Sequence, residues 1–493
     1  MDEIKIIDYE ALLMKIIYLK KAFEYNSFTY NSRKIMQNLI HSSLIQKYNI
    51  PGPRYTSYPT VPFWDKGELA SNRWVTTVKR AFNESNTEEG ISLYIHMPYC
   101  ENLCTFCACH KHITKRHDVE DEYIDTVLKE WKLYVDVLDD TPSIREIHLG
   151  GGTPTFFSSK NLKRLIDGIF EDATRHEVFD FSYEAHPNET TKEQIQSLFD
   201  LGFNRTSFGI QDYDPVVQRA INRVQPFENV DRVNRWAREI GYESISHDII
   251  FGLPHQTKES IINTIEQTVK QRPDRIAYYS YAHVPWIKGV GQRGFDENDL
   301  PKDEYKRELY ELGKKLFFEA GYEEIGMDHF ALPTDKLHIA MEQKRLHRNF
   351  MGYTAGKTKL MIGLGMSSIS DSWYGFAQNE KRVEDYVNRV NEGKLPVFRG
   401  HILTDEDLIV RQHILNLMCN LETSWEDEKL KLNNISEILE RLSEMNSDDL
   451  IEIYENRLVV KESARMFVRN VCMAFDLRLA KTSPEGRIFS MTI

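Results

Sequence analysis

The sequence predicts an α/β fold built on a parallel sheet, which is either doubly wound or an incomplete barrel. The main observation is a unit that repeats between residues 90 and 285: a short apolar run rich in β-branched or aromatic residues, a turn, and an amphipathic helical stretch. The candidate strands of the six units are Ser92–His96, Glu146–Leu149, Phe181–Ala185, Arg205–Gly209, Ser244–Ile250 and Arg275–Tyr281. In either architecture, catalytic groups belong in the loops at the carboxyl ends of the strands.

The composition supports a large folded core and excludes several classes of protein. Of the 493 residues, 41% are hydrophobic, which is enough for two or three domains. The 62 Lys and Arg against 75 Asp and Glu leave a formal net charge of -13, opposite to that of a general nucleic-acid or anionic-membrane binder. No apolar stretch is long enough for a transmembrane helix, and the acidic start MDEIKIIDYE is not a secretory signal. We therefore expect a cytoplasmic location.

The repeat is flanked by regions of different pattern. Residues 1–49 form a leader of helical character, and a start at Met36 instead of Met1 would make most of it an extension. Beyond about residue 370 the sequence becomes helical and more charged. This change predicts a mainly helical C-terminal domain at 371–493, after an α/β domain at 89–370.

The six cysteines are unevenly distributed. Four lie in one loop after the first candidate strand, at Cys100, Cys104, Cys107 and Cys109, which indicates metal or redox chemistry rather than a disulfide framework. The C-x3-C-x2-C spacing of the first three lets each thiolate bind one iron of a four-iron cluster and leaves the fourth iron open for chemistry. A zinc site near His110 and His112 is the alternative. Cys419 and Cys472 stand alone in apolar contexts and are predicted to be buried.

A glycine-rich loop, GGGTP at Gly150–Pro154, follows the second candidate strand. Glycines there let backbone polar groups approach a ligand closely, although a glycine triplet alone also suits a tight turn. In its order after the cysteine motif, the loop resembles that of the radical S-adenosylmethionine (SAM) superfamily. The resemblance implies an incomplete (β/α)6 TIM-like radical SAM barrel at 89–370, a [4Fe-4S] cluster on Cys100, Cys104 and Cys107, and a glycine loop that meets the SAM ammonium group.

Further motifs narrow the resemblance to one family. They are PGPRYTSYPT at 51–60, Cys109, GIQDYDPVVQRAINR at 209–223, DIIFGLP at 248–254, IGMDHFA at 325–331, LHRNF at 346–350 and the C-terminal RNVCMAFD. In this order and spacing they are similar to the oxygen-independent coproporphyrinogen III oxidase family, and the similarity covers nearly everything from residue 50 onward. It implies an N-terminal arm at 50–88 over the active site.

The resemblance implies a step of haem biosynthesis, the anaerobic oxidative decarboxylation of two propionate side chains of coproporphyrinogen III to vinyl groups, which gives protoporphyrinogen IX. An unactivated propionate C–H bond is too strong for a general base, so a 5′-deoxyadenosyl radical made from SAM removes the hydrogen atom. The family binds two SAM molecules. We also expect a flavodoxin- or ferredoxin-type electron donor, an electron acceptor that the sequence does not identify, and a monomeric protein.

By resemblance, the site residues form two groups beside the cysteines. The residues around the cluster-bound SAM are Tyr94, Gly151, Glu184 and Ile369. All of these except the glycine are the predicted catalytic residues. The residues that match contacts to the second SAM are Phe106, Gly152, Thr153, Gln211, Arg223, Asp248 and Ala282.

Residue type alone leaves other roles open for these side chains. The carboxylates Glu184 and Asp248 could instead cap helices. Gln211 and Arg223 could be surface polar residues, and Tyr94 and Ile369 could be ordinary core or pocket-lining residues.

The substrate carries four carboxylates, so its pocket needs basic side chains although the chain is acidic. The candidates are Arg54, Arg205, His347 and Arg348, each of which could instead form a surface ion pair. His96 is a further candidate, although a lone strand histidine is more often a satisfied core residue. Cys109 is typical of the family and is not expected to bind the cluster. Met351 stands where the family is expected to have glutamine, which puts fine substrate positioning in doubt.

Three other classes of protein remain open at this point. A haem chaperone of the same superfamily would keep the cluster, but it typically has a bulky aromatic residue in place of Cys109 and lacks the PGPRYTSYPT segment. A radical SAM enzyme that methylates or opens haem is a second alternative. A purely electron-carrying or structural metal protein is the third, and it does not explain a three-cysteine loop beside a glycine loop.

Overall fold

The computed structural model describes residues 43–65, 69–285, 291–481 and 489–492. These residues fall into two compact units. In the first unit, residues 43–48 are helical and Pro51 forms an antiparallel bridge with Met491. The Gly52 amide of the same unit donates to the Ser490 carbonyl at 2.9 Å. The predicted leader up to residue 42, including the alternative start at Met36, lies outside the described residues.

The second unit spans residues 55–483 and holds the sheet and its helices. Its strands are β1 (Ile91–Met97), β2 (Tyr99–Cys100), β3 (His112–Ile113), β4 (Ser143–Gly151), β5 (Thr174–Ala185), β6 (Arg205–Gln211), β7 (Ser244–Phe251), β8 (Arg275–Ser280), β9 (Glu323–Gly326), β10 (His329–Ala331), β11 (His347–Asn349), β12 (Gly352–Thr354), β13 (Met361–Leu364), β14 (Ile369–Asp371), β15 (Gly375–Asn379), β16 (Val397–Ile402), β17 (Glu422–Ser424), β18 (Ile451–Ile453) and β19 (Arg457–Val460).

The α-helices of this unit connect the strands and continue beyond them. They are α1 (Ser71–Ser85), α2 (Val119–Val135), α3 (Ser159–Phe170), α4 (Lys192–Asp200), α5 (Pro215–Ala220), α6 (Phe227–Ile240), α7 (Lys258–Gln271), α8 (Asp303–Glu319), α9 (Lys336–Glu342), α10 (Val383–Asn391), α11 (Asp405–Asn420), α12 (Ile435–Arg441), α13 (Ser443–Ser447), α14 (Val468–Phe475) and α15 (Leu477–Lys481). None of the helices in the described ranges has the length and apolar character needed to cross a membrane.

All six predicted strands are present, as β1, β4, β5, β6, β7 and β8. They lie side by side in chain order, and each is parallel to the next. A doubly wound sheet reverses its strand order at a switch point, and these six strands show no reversal. The structure therefore decides between the two predicted architectures, and the incomplete (β/α)6 barrel is confirmed.

The strands alternate between an apolar outer face and a polar inner face, because successive side chains of a strand point to opposite sides. Leu93, Leu149 and Phe208 point outward and are fully buried against the helices. On the inner face, His148 lies beside Ser182, with 2.8 Å between its Nδ1 and the serine Oγ. The polar interior suits a charged ligand at the carboxyl end of the barrel.

The connecting helices begin at side chains that satisfy their free amide groups. Ser158, Thr191 and Thr257 each accept a hydrogen bond from the third residue of the helix that follows. The latter two form capping boxes with Gln194 and Ser260. Neighbouring helices of this layer pack against one another outside the barrel. The short loops before these caps place the functional segments at the strand ends.

The sheet extends on both sides of the six parallel strands. β13 lies parallel to β1 on its other edge, and β14, β15 and β16 continue from it in antiparallel order. At the opposite side β10 and β9 follow β8. The predicted boundary between residues 370 and 371 therefore falls inside β14 and is wrong as a structural boundary, because the sheet continues to Ile402.

The region beyond the sheet is mainly helical, as predicted. It begins with α11 and includes the small antiparallel sheet of β17, β19 and β18. It belongs to the same compact unit as the barrel, so the predicted domains from residue 55 onward are regions of one unit. Cys419 and Cys472 are both buried and free in this part of the chain, as predicted.

Candidate active site

Each predicted ligand sulfur of the cysteine loop accepts a hydrogen bond. The Thr153 hydroxyl donates to Cys100 Sγ at 3.4 Å, and Arg223 Nη1 lies 3.6 Å from Cys104 Sγ. The Cys109 amide donates to Cys107 Sγ at 3.4 Å. Hydrogen bonds to sulfur tune iron–sulfur clusters, and all three thiols are free. The donor set therefore fits the predicted cluster.

The cysteine loop is fixed to the segment that follows α5. The Thr105 amide donates to the Ile221 carbonyl at 2.9 Å, and Asn222 Nδ2 donates to the Leu103 carbonyl at 2.8 Å. Within the described residues, no three His, Cys, Asp or Glu side chains are grouped so that they could hold a single metal ion. A four-iron cluster does not need such a group, because each thiolate binds a different iron.

The glycine loop lies directly against the end of β1 and needs its glycines. Gly151 has φ +107°, and a Cβ atom there would come within 2.5 Å of the His96 ring. A Cβ atom on Gly152 would lie 2.7 Å from the Met97 and Pro98 carbonyl oxygens. The glycine loop thus lies so close to the end of β1 and the residue after it that only glycine fits at these two positions.

Glu184 ends the polar interior of the barrel beside the glycine loop. The Gly151 amide donates to its Oε2 at 3.1 Å, and His148 Nε2 lies 3.4 Å from its Oε1. Burial acts to raise the pKa of this carboxyl, but the hydrogen bonds from His148 and Gly151 outweigh it and hold the pKa below its usual value. The side chain is 43% exposed. Glu184 is therefore an accessible carboxylate, not a helix cap.

Tyr94 and His96 occupy the inner face of β1 next to this carboxylate. The Tyr94 ring stacks on His148 with 6.0 Å between centroids, and its hydroxyl lies 3.1 Å from His96 Nδ1. His96 Nε2 lies 2.8 Å from the His110 carbonyl. Burial lowers the pKa of His96 to about 4, which keeps it neutral. Both ring nitrogens of His96 therefore have partners in a buried environment, which is the alternative that the sequence left open. The ring also supports the Tyr94 hydroxyl.

Ile369 approaches Tyr94 through the strand between them. Gly363 of β13 is paired with Tyr94, and a Cβ atom on Gly363 would lie 2.6 Å from the Ile369 carbonyl oxygen. The Ile369 side chain packs with Trp64 and Phe376. The structure therefore brings all of the residues predicted around the cluster-bound SAM to one end of the barrel.

The polar residues predicted at the second SAM converge at the end of β6 and β7. Ser207 Oγ donates to Asp248 Oδ1 at 3.0 Å, and Arg223 Nη2 donates to the Gly209 carbonyl at 2.6 Å. A Cβ atom on Gly209 would lie 2.7 Å from Gln211 Nε2 and 2.8 Å from Arg223 Nη2. Gln211 is only 8% exposed. The alternative that Gln211 and Arg223 are surface residues is wrong.

The burial of Asp248 changes the pKa of its carboxyl group. Burial raises the pKa of its carboxyl to about 7, and the nearby Glu184 carboxylate acts in the same direction. The folded protein thus holds a proton that the unfolded chain releases near pH 4, so this residue lowers stability progressively as the pH rises from about 4 to about 7.

Asp248→Asn removes the charge and keeps an oxygen for Ser207. We expect its melting temperature to exceed that of the wild type by a few degrees at pH 8 and by less at pH 5. An equal difference at both pH values would contradict this.

Gln292 is a site residue that the sequence analysis missed. Its Nε2 donates to the Phe106 carbonyl at 3.1 Å and to the Ala282 carbonyl at 2.8 Å, which joins two residues predicted at the second SAM. Its Oε1 accepts from the Val284 amide at 2.6 Å. A single glutamine in a glycine-containing loop carries no sequence signal of such a role. Ser207, which donates to Asp248, carries no such signal either.

The four predicted basic residues have different surroundings. Arg205 stands at the start of β6, at the opposite end of the strand, where its Nε lies 3.3 Å from Asp180 Oδ1. The prediction that it binds substrate is wrong, because the start and the carboxyl end of a strand lie on opposite sides of the barrel. Arg348 is buried with its guanidinium 4.5 Å from the centre of the Tyr353 ring. Burial lowers the pKa of His347 to about 3. Arg54 belongs to the other compact unit.

Arg205→Met tests this reassignment. We expect the variant to lose about 1–3 kcal/mol of stability in urea unfolding, because Asp180 is left without its partner inside the barrel. The KM for substrate should stay unchanged. Arg235→Met is the control, since Arg235 pairs with Asp231 on an exposed helix face and its loss should change stability little. A raised KM at unchanged stability would restore the substrate role of Arg205.

Met351 lies in the tight turn between β11 and β12. Its amide donates to Asn349 Oδ1 at 2.9 Å, and its side chain is half-buried. The turn is therefore held by the Asn349 side chain and by the amide of residue 351, which any residue but proline provides. Its effect on the substrate stays a prediction.

Comparisons with known proteins agree with this geometry. Residues 94–268 match the family model described as the radical SAM superfamily. An oxygen-independent coproporphyrinogen III oxidase from Helicobacter pylori strain J99 is 38% identical over 442 residues, which cover 88% of this chain and 95% of that protein. The protein of the same name from Escherichia coli strain K12 is 35% identical over 449 residues, covering 89% of this chain and 95% of its own.

A solved structure is similar over nearly the same length. It is the coproporphyrinogen III oxidase from Escherichia coli, described as a radical SAM enzyme, with a TM-score of 0.81 and 34% identity over 86% of this chain and 98% of that one. The resemblance predicted from the motifs is confirmed. The chain belongs to the family of oxygen-independent coproporphyrinogen III oxidases within the radical SAM superfamily.

Proposed function

We propose that this protein oxidatively decarboxylates two propionate side chains of coproporphyrinogen III to vinyl groups without oxygen and so forms protoporphyrinogen IX. The observation that carries the proposal is the meeting of the three-thiol loop, the glycine loop and the Glu184 carboxylate at the carboxyl end of one barrel. Relatives that bear this activity in their names match nearly the whole described chain. The protein is accordingly an oxidoreductase.

The chain's own residues would hold the cofactors in the following way. Cys100, Cys104 and Cys107 would bind a [4Fe-4S] cluster, and Tyr94, Gly151, Glu184 and Ile369 would surround the SAM molecule bound to it. A second SAM would contact Phe106, Gly152, Thr153, Gln211, Arg223, Asp248 and Ala282. Bound together, the cluster and SAM supply the reductive radical chemistry that removes hydrogen from an unactivated C–H bond.

Glu184 and the glycine loop position the ligand. An ionised carboxylate at the barrel mouth attracts an ammonium group, while the neighbouring glycines let the ligand lie against the backbone. His148 and the Gly151 amide hold Glu184 ionised, so its charge is in place before any ligand binds. Tyr94, Phe106 and Ile369 supply apolar walls that exclude water from a reactive intermediate.

The proposal extends to the partners. A flavodoxin- or ferredoxin-type protein would supply the low-potential electron, and a separate acceptor would take the electron released with carbon dioxide. We further propose that the protein acts as a cytoplasmic monomer.

The experiment is an anaerobic conversion assay. The protein with a reconstituted cluster is mixed with SAM, reductant, coproporphyrinogen III and a cell extract that supplies the acceptor, and the porphyrins are identified by mass after oxidation. Protoporphyrin with two carboxyl groups lost would support the proposal and show that Met351 is tolerated. Intact coproporphyrin together with released 5′-deoxyadenosine would overturn it and indicate a radical enzyme with another substrate.

A further inference from the structure

Positive side chains meet at the carboxyl end of the barrel, next to the cysteine loop. They are Lys111, Lys381 and Arg399, with His110 among them, and we call them the mouth cluster. The Ser367 amide donates to the carbonyl of Glu380, the residue before Lys381, at 2.7 Å, and burial and all three cations act to lower the pKa of His110. Lys111 Nζ donates to the Cys107 and Cys109 carbonyls at 3.3 and 3.2 Å. The mouth cluster therefore borders the loop that would carry the iron.

A chain of hydrogen bonds fixes Arg399 to this end of the barrel. Arg399 Nε donates to Gln378 Oε1 at 2.9 Å, and Gln378 Nε2 donates to the Ser367 carbonyl at 3.2 Å. The Ser367 hydroxyl lies 2.5 Å from His110 Nδ1. Ser367 lies between β13 and β14, so the guanidinium is tied to the same strand ends as Tyr94 and Ile369.

In the described part of the chain, Lys381 and Arg399 have no counter-charge, whereas Lys111 has the Cys107 thiol beside it. No ion pair to a carboxylate is formed there by Lys111, Lys381 or Arg399, and neither Lys381 Nζ nor the Arg399 Nη atoms donate to a protein group. Both side chains are half-buried. Burial, together with the neighbouring Arg399, lowers the pKa of Lys381, and burial lowers the pKa of Arg399. Like charges held together without a partner are unfavourable, which is the condition that an anionic ligand relieves.

An aromatic surface adjoins the mouth cluster, where the half-buried Phe350 packs against Trp64 and Phe376, which are themselves buried. The Arg399 guanidinium lies 5.7 Å from the centre of the Trp64 ring. Trp64 stacks on Phe376 at 5.4 Å and contacts Phe350 edge-on at 6.0 Å. Ile369, a predicted SAM contact, packs against the same group. A ligand that spans this surface would have a broad apolar body and anionic arms.

We propose that Lys381 and Arg399 bind propionate carboxylates of the tetrapyrrole substrate while its ring system lies against Phe350. This proposal rests on the proposed function, because coproporphyrinogen III is the ligand with four such carboxylates. It replaces Arg205 as the source of positive charge for the substrate. The mouth cluster lies between the cysteine loop and the aromatic surface, so a propionate held there stays close to the SAM that Ile369 would contact.

The test measures binding and turnover separately. The variants are Lys381→Gln, Arg399→Gln and the double variant, and Lys394→Gln is the control because Lys394 is exposed and paired with Glu392 at 2.9 Å. Quenching of intrinsic fluorescence gives the Kd for coproporphyrin III and for its uncharged tetramethyl ester. The KM values for coproporphyrinogen III and for SAM are measured under anaerobic conditions.

Each single variant should raise the Kd for coproporphyrin III and the KM for its reduced form about tenfold, since each removes one charge-assisted contact. Binding of the tetramethyl ester, the KM for SAM and all values for Lys394→Gln should stay unchanged. Equal weakening of the acid and the ester would indicate a structural effect and overturn the proposal, as would unchanged binding of the acid. If the wild type binds coproporphyrin III through these residues but converts none of its reduced form, the binding site stands and the proposed function fails.

Discussion

Replacing Cys104 with alanine is expected to abolish iron binding and SAM cleavage together. Cys100, Cys104 and Cys107 would each bind a different iron, so the loss of one thiolate removes a third of the protein ligands. The cluster would also supply the electron that cleaves SAM, so cleavage is expected to be lost with the cluster. Iron content, visible absorption after reconstitution and the yield of 5′-deoxyadenosine measure the effect, and all three should fall to background.

Cys109→Ala is the matched control for this variant. The backbone amide of residue 109 donates to Cys107 Sγ, and alanine keeps that hydrogen bond while it removes the contact between the two thiols. We expect this variant to retain its iron and its SAM cleavage. Full cleavage by Cys104→Ala, or loss of iron from Cys109→Ala, would show that the ligand assignment is wrong.

Glu184→Gln is expected to separate SAM binding from cluster binding. The amide has nearly the same shape as the carboxylate and still accepts from the Gly151 amide, but it has no negative charge for an ammonium group. The KM for SAM should rise and 5′-deoxyadenosine formation should fall about 30- to 100-fold, because a charge-assisted hydrogen bond becomes a weaker one. The iron content should stay that of the wild type.

The control for Glu184→Gln is Glu177→Gln, on an exposed position of the same strand β5. It makes the same chemical change far from the barrel mouth and should leave cleavage unaltered. If Glu184→Gln cleaved SAM as fast as the wild type, the proposed role of this carboxylate would be refuted. If it lost its iron as well, Glu184 would have to support the cysteine loop instead.

The strands were predictable because their signal is local. In β7, Ser246 and Asp248 alternate with the outward-facing Ile245, and this pattern is visible in the sequence without knowledge of the fold. The cysteine and glycine loops were predictable for the same reason, since each follows a strand directly. The motif match predicted Gln211 and Arg223 at the barrel end, where the structure brings them together, although their residue types alone suggest the surface.

The residues that the sequence did not predict depend on long-range packing. Lys381 and Arg399 lie in a region that the pattern predicted as helical, yet Lys381 follows β15 and Arg399 lies within β16, two strands that extend the sheet beyond β13 and β14. Gln292 acts through two carbonyl groups that come from distant parts of the chain. The error at Arg205 was different in kind, because its position at the start of β6 already indicated the wrong end of the barrel.

The pairing of β13 with β1 has a consequence for how the protein is made. β1 is among the first strands of the sheet to be synthesised, but its outer edge is covered only when β13 has emerged, after the other five parallel strands. Until then the nascent chain carries a buried-type strand, Ile91–Met97, with one row of backbone groups unpaired. Such an edge favours pairing with other chains, so the synthesis of β13 closes a site at which the nascent chain could aggregate.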